Sequence, residues 1–201
     1  MNLGFLASFI GFILIISFSM KRQKNRNLAK ENAFWERERR SNSVRRKSLD
    51  GLDYISIPLD QLPTHLLGDD PTVQECIDII SNLSSQKVVN LTGFSNTDLK
   101  LEYGTANITE LKEYDQNYII LIRTLQKWAD ALIAAGHTKE ATVLMEYAVS
   151  TNTDVSRTYY CLADYWLSQG ETAQVERLIG IAEKLKSSNK NIIVKKLKEK
   201  L

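Results

Sequence analysis

The sequence predicts an all-α protein: an N-terminal transmembrane helix followed by an array of α-helical hairpins. Three observations carry that prediction. At an offset of 34, the stretches at about 118–151 and 152–186 share eight identities: Arg123/Arg157, Thr124/Thr158, Ala129/Ala163, Asp130/Asp164, Gly136/Gly170, Thr138/Thr172, Leu144/Leu178 and Ala148/Ala182. Within each stretch apolar residues recur at three- and four-residue spacing, the period of one helical face. Residues 1–20 carry no charged side chain.

Residues 1–20 read as a membrane anchor. Leu3 to Met20 is almost wholly apolar, and as a helix 18 residues reach about 27 Å, close to the hydrocarbon thickness of a bilayer. No Lys or Arg precedes the run and Ser17-Phe18-Ser19-Met20 has no A-x-A pattern, so an uncleaved anchor fits better than a secretory signal. Residues 21–50 form a basic juxtamembrane segment. From Lys21 to Ser48 there are eleven Lys/Arg and three Glu, a net of +8, so a chain of net +2 has an acidic remainder. Positive charge only after the span places that side in the cytoplasm. Lys21, Arg22, Lys24 and Arg26 are candidate contacts to lipid headgroups, with Phe34 and Trp35 at the interface. A solvated charged linker is the alternative. Asn82, Asn90 and Asn107 open N-x-S/T triplets, which matter only in a secretory lumen.

Residues 51–70 predict an extended segment. Leu52 to Pro58 alternates apolar and polar residues and then meets proline, and Leu59 to Leu62 has room for one turn before Pro63. Its apolar groups cover the open end of the helical array or, alternatively, lie in the array's own groove.

Residues 71–201 predict the helical domain. Asp70-Pro71 is a helix start, with an acceptor at the cap and proline in the first turn. Val73, Cys76, Ile77, Ile80 and Leu83 make one stripe to about Ser84. Lys87 to Leu91 reads as a helical turn that closes a first hairpin. Asn96 or Thr97 caps a short helix that Gly104 ends, and Asn107 to Glu113 is another short helix. Tyr114 to Ala135 and the return helix to about Ser150 form one unit, Val155 to Lys186 the next, and a helix over about 190–201 caps the array with Ile193 and Leu197 inward. Thr138 and Thr172 are candidate caps.

The 34-residue period, the glycine stops and the small residues Ala129, Ala148, Ala163 and Ala182 resemble the tetratricopeptide repeat family. The small residue of the family's return helix matches Ala141 in the first unit and is Val175 in the second, implying looser packing there. Thr153 and Ser187 stand near the place of the family's closing proline. Over most of its length, through Leu52 to Pro58, Asn90 to Gly93, Ser95 to Lys100 and Glu113 to Tyr118, the chain is also similar to uncharacterised single-pass membrane proteins of low-GC Gram-positive bacteria. That likeness implies an anchor and a compartment, and no activity.

The repeat resemblance implies a scaffold that holds a protein or peptide partner. Arg123 and Asp130 are seven positions apart, on one helical face, as are Arg157 and Asp164. With Gln126, Lys127 and Tyr160 they are the candidate partner-binding residues, through Arg to carboxylate and Asp to Lys or backbone N–H. The alternative is an ion pair between repeats, such as Asp130 with Arg157.

Other classes find little support. The sequence has no Gly-rich phosphate loop, no H-E-x-x-H, and no Ser or Cys nucleophile with a plausible His, so no enzyme activity and no cofactor are expected. His65 and His137 have no partners at ligand spacing, so no metal is expected, and the acidic body argues against nucleic acid. Cys76 and Cys161 read as buried thiols of a reducing compartment. The expectation is a membrane-anchored, single-pass protein-interaction scaffold of the cell membrane with a cytoplasmic body. The alternative is a structural subunit of a membrane complex that meets its partners through the span, where Gly4 and Gly11 permit close packing.

Overall fold

A computed structural model describes residues 3–201; of residue 3, residues 5–8, 10 and 14 it describes the backbone alone. The described residues form eight α-helices and no sheet. They are α1 (Leu3–Asn42), α2 (Pro71–Ser84), α3 (Asn96–Tyr103), α4 (Ile108–Ala134), α5 (Thr138–Ser150), α6 (Ser156–Ser168), α7 (Thr172–Ala182) and α8 (Lys190–Lys198). The all-α class expected from the sequence is the observed one.

The chain divides into two compact units. One comprises residues 1–47 and 96–107; the other comprises 48–95 and 108–201. Sequence reading places residues 96–107 inside the helical domain, whereas the structure packs α3 with α1.

The first unit is built on α1, which runs unbroken from the apolar stretch through the basic segment to Asn42. No Pro or Gly interrupts it after Gly11, so nothing ends the helix earlier. The predicted span 1–20 falls partly outside the described residues. Among the described residues no helix is long and apolar enough to cross a membrane. The far end of α1 is held by α3. Arg37 pairs with Asp98, Thr97 donates to Glu38, and Lys100 Nζ donates to Asn42 Oδ1 at 2.8 Å. The Thr97 hydroxyl is the main cause that holds the Glu38 carboxyl below its ordinary range. Asn107, fully buried, closes the unit: its Nδ2 donates to the Lys47 and Tyr103 carbonyls, both at 2.7 Å, and its Oδ1 accepts from Arg46 Nε at 2.8 Å. Gly104 has φ +89°, and a Cβ there would overlap the Arg45 carbonyl. Only glycine allows that approach.

In the second unit α2 begins as its sequence implies: Asp70 Oδ1 accepts from Thr72 N at 2.8 Å and Val73 N at 3.1 Å, with Pro71 at the first position. Residues 85–91 differ from expectation. Val89 makes an antiparallel bridge with Tyr54, Ile55 N donates to Val88 O at 2.9 Å, and Val89 N donates to Tyr114 O. Their backbone groups find partners in the extended segment and α4, so no helical turn and no first hairpin form. Residues 107–113 also differ, because α4 is one helix of 27 residues. The extended segment turns once at Leu59–Gln61, and its Ile57 and Leu62 join the core.

From α4 onward the sequence offset is a structural one. Gly136 (φ +87°) ends α4 with His137 N donating to Leu132 O at 2.8 Å and Gly136 N to Ile133 O at 3.0 Å. Gly170 (φ +76°) ends α6 with Glu171 N donating to Trp166 O at 2.9 Å and Gly170 N to Leu167 O at 3.0 Å. Each donor and acceptor of the second turn stands one full repeat period on from its counterpart in the first. The next turn repeats too. Thr153 Oγ1 accepts from Val155 N at 3.2 Å, and Ser187 Oγ from Asn189 N at 3.1 Å. Helix α8, from Lys190, starts the same repeat period after α6, from Ser156, so it stands where a further first helix would stand. Ala129, Ala141, Leu144, Ala163, Val175, Leu178 and Ala182 are wholly buried. Val175 therefore packs fully, against the expectation of looseness. Thr138 and Thr172 are first helical residues, not caps; His137 and Glu171 precede them without a side-chain capping bond.

This packing sets the outcome of two measurements. Gly104→Ala is expected to destabilise the protein by more than the about 1–2 kcal/mol of a left-handed alanine, because a backbone overlap is added. Gly136→Ala, which has open space around it, should cost about that left-handed penalty alone. Urea unfolding of the two variants measures the difference. The second measurement concerns alkali. Burial pushes the Tyr118 and Tyr147 hydroxyls up to about 12 from an ordinary 10.0, and Tyr159 further. The folded pKa is raised, so stability is intact below pH 10 and is lost as pH rises from 10 through about 12. Tyrosinate absorbance and circular dichroism should change together in that window.

Candidate functional site

The seven residues singled out on the first helices sit on α4 and α6, and the structure joins most of them. Gln126 is almost fully buried; its Oε1 accepts from Thr158 Oγ1 at 2.6 Å and its Nε2 donates to Asp130 Oδ1 at 2.9 Å. Arg157 Nε donates to both Asp130 oxygens at 2.9 Å. The result is a chain, Thr158 to Gln126 to Asp130 to Arg157, that locks α4 against α6. Its buried end is fully hydrogen-bonded and its charged end faces water. The Asp130 carboxylate raises the Arg157 guanidinium further above its ordinary range.

The remaining residues face other neighbours. Lys127 donates to Glu75 Oε2 of α2 at 2.6 Å, and that bond is the first cause of its raised pKa. Asp164, equivalent to Asp130, pairs with Lys200 just beyond α8. Asp130 and Asp164 are thus each matched by a cation from the next first helix or its end. Tyr160 is half-buried against the core. Arg123 is exposed and, among the described residues, forms no ion pair. Lys21, Arg22, Lys24 and Arg26 are exposed along α1. Phe34 and Trp35 are more than half exposed and meet edge to face with centroids 5.3 Å apart.

Three features of this unit escape sequence reading. Thr158 completes the Gln126 bond, although its repetition with Thr124 marks the position. Asn90 Nδ2 donates to the Thr151 carbonyl at 2.9 Å and so ties the segment after α2 to the turn after α5. Lys87 Nζ lies 5.3 Å and 5.5 Å from the Tyr54 and Tyr114 ring centroids, and the neighbouring Tyr114 is the first cause of its raised pKa. No local pattern announces the last two, since their partners are distant in sequence.

Chemically the face presents ion pairs and a hydrogen-bonded polar chain. The Cys76 and Cys161 thiols are both free and burial pushes both up, away from the nucleophilic thiolate. His137 has one acidic neighbour, Glu140, at 3.9 Å. Among the described residues no group of three or more His, Cys, Asp or Glu is placed to hold a metal ion. Comparison with protein-family models, with curated proteins and with solved structures finds no match.

The two kinds of contact on this face should respond differently to substitution. Gln126→Ala leaves a buried hydroxyl without its acceptor and should cost about 1–3 kcal/mol. The Asp130–Arg157 pair is largely in water, with Arg157 63% exposed. A double-mutant cycle on it should give no more than about 1 kcal/mol, falling with added salt.

Proposed function

We propose that this protein is a membrane-anchored scaffold for protein–protein interaction, tethered through residues 1–20, with a groove like that of tetratricopeptide repeats. One observation carries the reading: two different turns recur one repeat period on with the same hydrogen bonds, the arrangement that generates a stacked helical array and an extended binding surface. On the first-helix face Arg123, without an ion pair among the described residues, and the exposed Asp164 are the groups best suited to a peptide's carboxylate and cation.

Anchoring is supported by the sequence of residues 3–20 and by the exposure of Phe9, Phe12, Ile15, Phe18 and Met20 on α1. A tether confines the groove to the membrane surface and raises its effective concentration for partners there. A cytoplasmic body is supported by the basic residues directly after the span and by the free thiols.

The test uses full-length protein and a variant lacking residues 1–20. The full chain should float with lipid vesicles and the truncated one should not. From detergent-solubilised membranes both should capture the same partner, and Arg123→Glu should weaken capture about tenfold, ~1.4 kcal/mol. Capture that requires residues 1–20 would favour a structural subunit acting through its span.

A further inference from the structure

The segment after α2 crosses the turns of the helical array, and the two ends of that crossing are held with unequal strength. One end is set in the core. Val88, Val89 and Leu91 are buried; Val89 N donates to Tyr114 O at 3.3 Å and Leu91 N to Asp115 Oδ1 at 3.2 Å. Asn90 uses its whole amide. Its Nδ2 donates to the Thr151 and Asn152 carbonyls at 2.9 and 3.2 Å, and its Oδ1 accepts from Thr92 N at 2.9 Å. This end grips α4 and the turn after α5.

The other end rests on the turn after α7. Gly93 has φ +90°, and a Cβ there would lie 2.7 Å from Lys186 Cβ, so only glycine lets the backbone lie against that side chain. Lys186 Nζ lies 5.1 Å from the Phe94 ring centroid. Packing and a cation over a ring are weaker than the buried hydrogen bonds at the other end. Stacked helical repeats touch only their neighbours, so a disturbance at one end fades along the row. Residues 90–95 join α4 directly to the turn that leads into α8, past α6.

We propose that residues 90–95 are a latch within this unit, fixed at Asn90 and Leu91 and releasable at Phe94. While Phe94 sits under Lys186, the turn into α8 is tied to α4. When Phe94 leaves, that turn and the start of α8 loosen ahead of the other helices. The device needs neither a partner nor a membrane.

Hydrogen exchange, read by mass spectrometry on detergent-solubilised full-length protein, tests this. Phe94→Ala should raise exchange of residues 183–193 about two- to fivefold and leave residues 71–84 unchanged. Phe94→Tyr, which keeps the ring, should retain native protection. Lys186→Met, which keeps the stem and loses the charge, should raise exchange too, and adding it to Phe94→Ala should add nothing. Asp115→Ala, which frees the latch at α4, should also raise exchange at residues 183–193, and should add nothing there once Phe94 is replaced. Unchanged exchange at residues 183–193 in Phe94→Ala and Lys186→Met overturns the proposal. So does an equal rise over residues 71–84, or an Asp115→Ala effect that adds to that of Phe94→Ala.

Discussion

The array rests on the left-handed glycines that follow α4 and α6. At Gly136 and Gly170 the chain must reverse sharply while the last helix carbonyls still need donors. A positive φ lets the next N–H groups turn back and bond them. Both turns are built alike, between α4 and α5 and again between α6 and α7. The small residues Ala129, Ala163, Ala148 and Ala182 therefore fall where the helices approach. Burial of Trp128, Tyr159, Leu144 and Leu178 follows from that placement.

The second repeated corner shows chemistry held where identity is not. Thr153 and Ser187 differ as residues, yet each hydroxyl accepts the N–H two positions on. Their turn delivers the chain to α6 in one case and α8 in the other, so three first helices lie in succession. The polar chain from Thr158 to Arg157 sits between the first two, and the Asp164–Lys200 pair between the next two. These charged contacts orient neighbouring helices more than they stabilise them, since water screens their outer ends. A face that settles its own charges in this way leaves Arg123 exposed and, among the described residues, without an ion pair.

The other unit obeys a different logic. Its core is polar: Asn107 collects three hydrogen bonds, Thr97 and Lys100 converge on Glu38, and Gly104 lets two backbone segments touch. Leu99 aside, the side chains buried among the described residues where α3 meets α1 are polar, so the geometry there depends on directional bonds all being made together.

The sequence by itself determined the helical class, the start of α2 at Asp70-Pro71 and both glycine stops. Those features are local: a cap, a stripe or a left-handed residue acts within a few positions, so its pattern is visible in a short window. Tertiary structure alone decided that residues 85–91 extend instead of coiling, that residues 108–134 are one helix, and that residues 96–107 leave the domain to hold α1. Each of those outcomes turns on donors and acceptors from segments far away, Tyr54 and Tyr114 for Val89, Lys47 for Asn107, Glu38 for Thr97. A short apolar run or a Thr followed by Asp carries no mark of the partner that will claim it, because that partner is set by how the chain closes on itself.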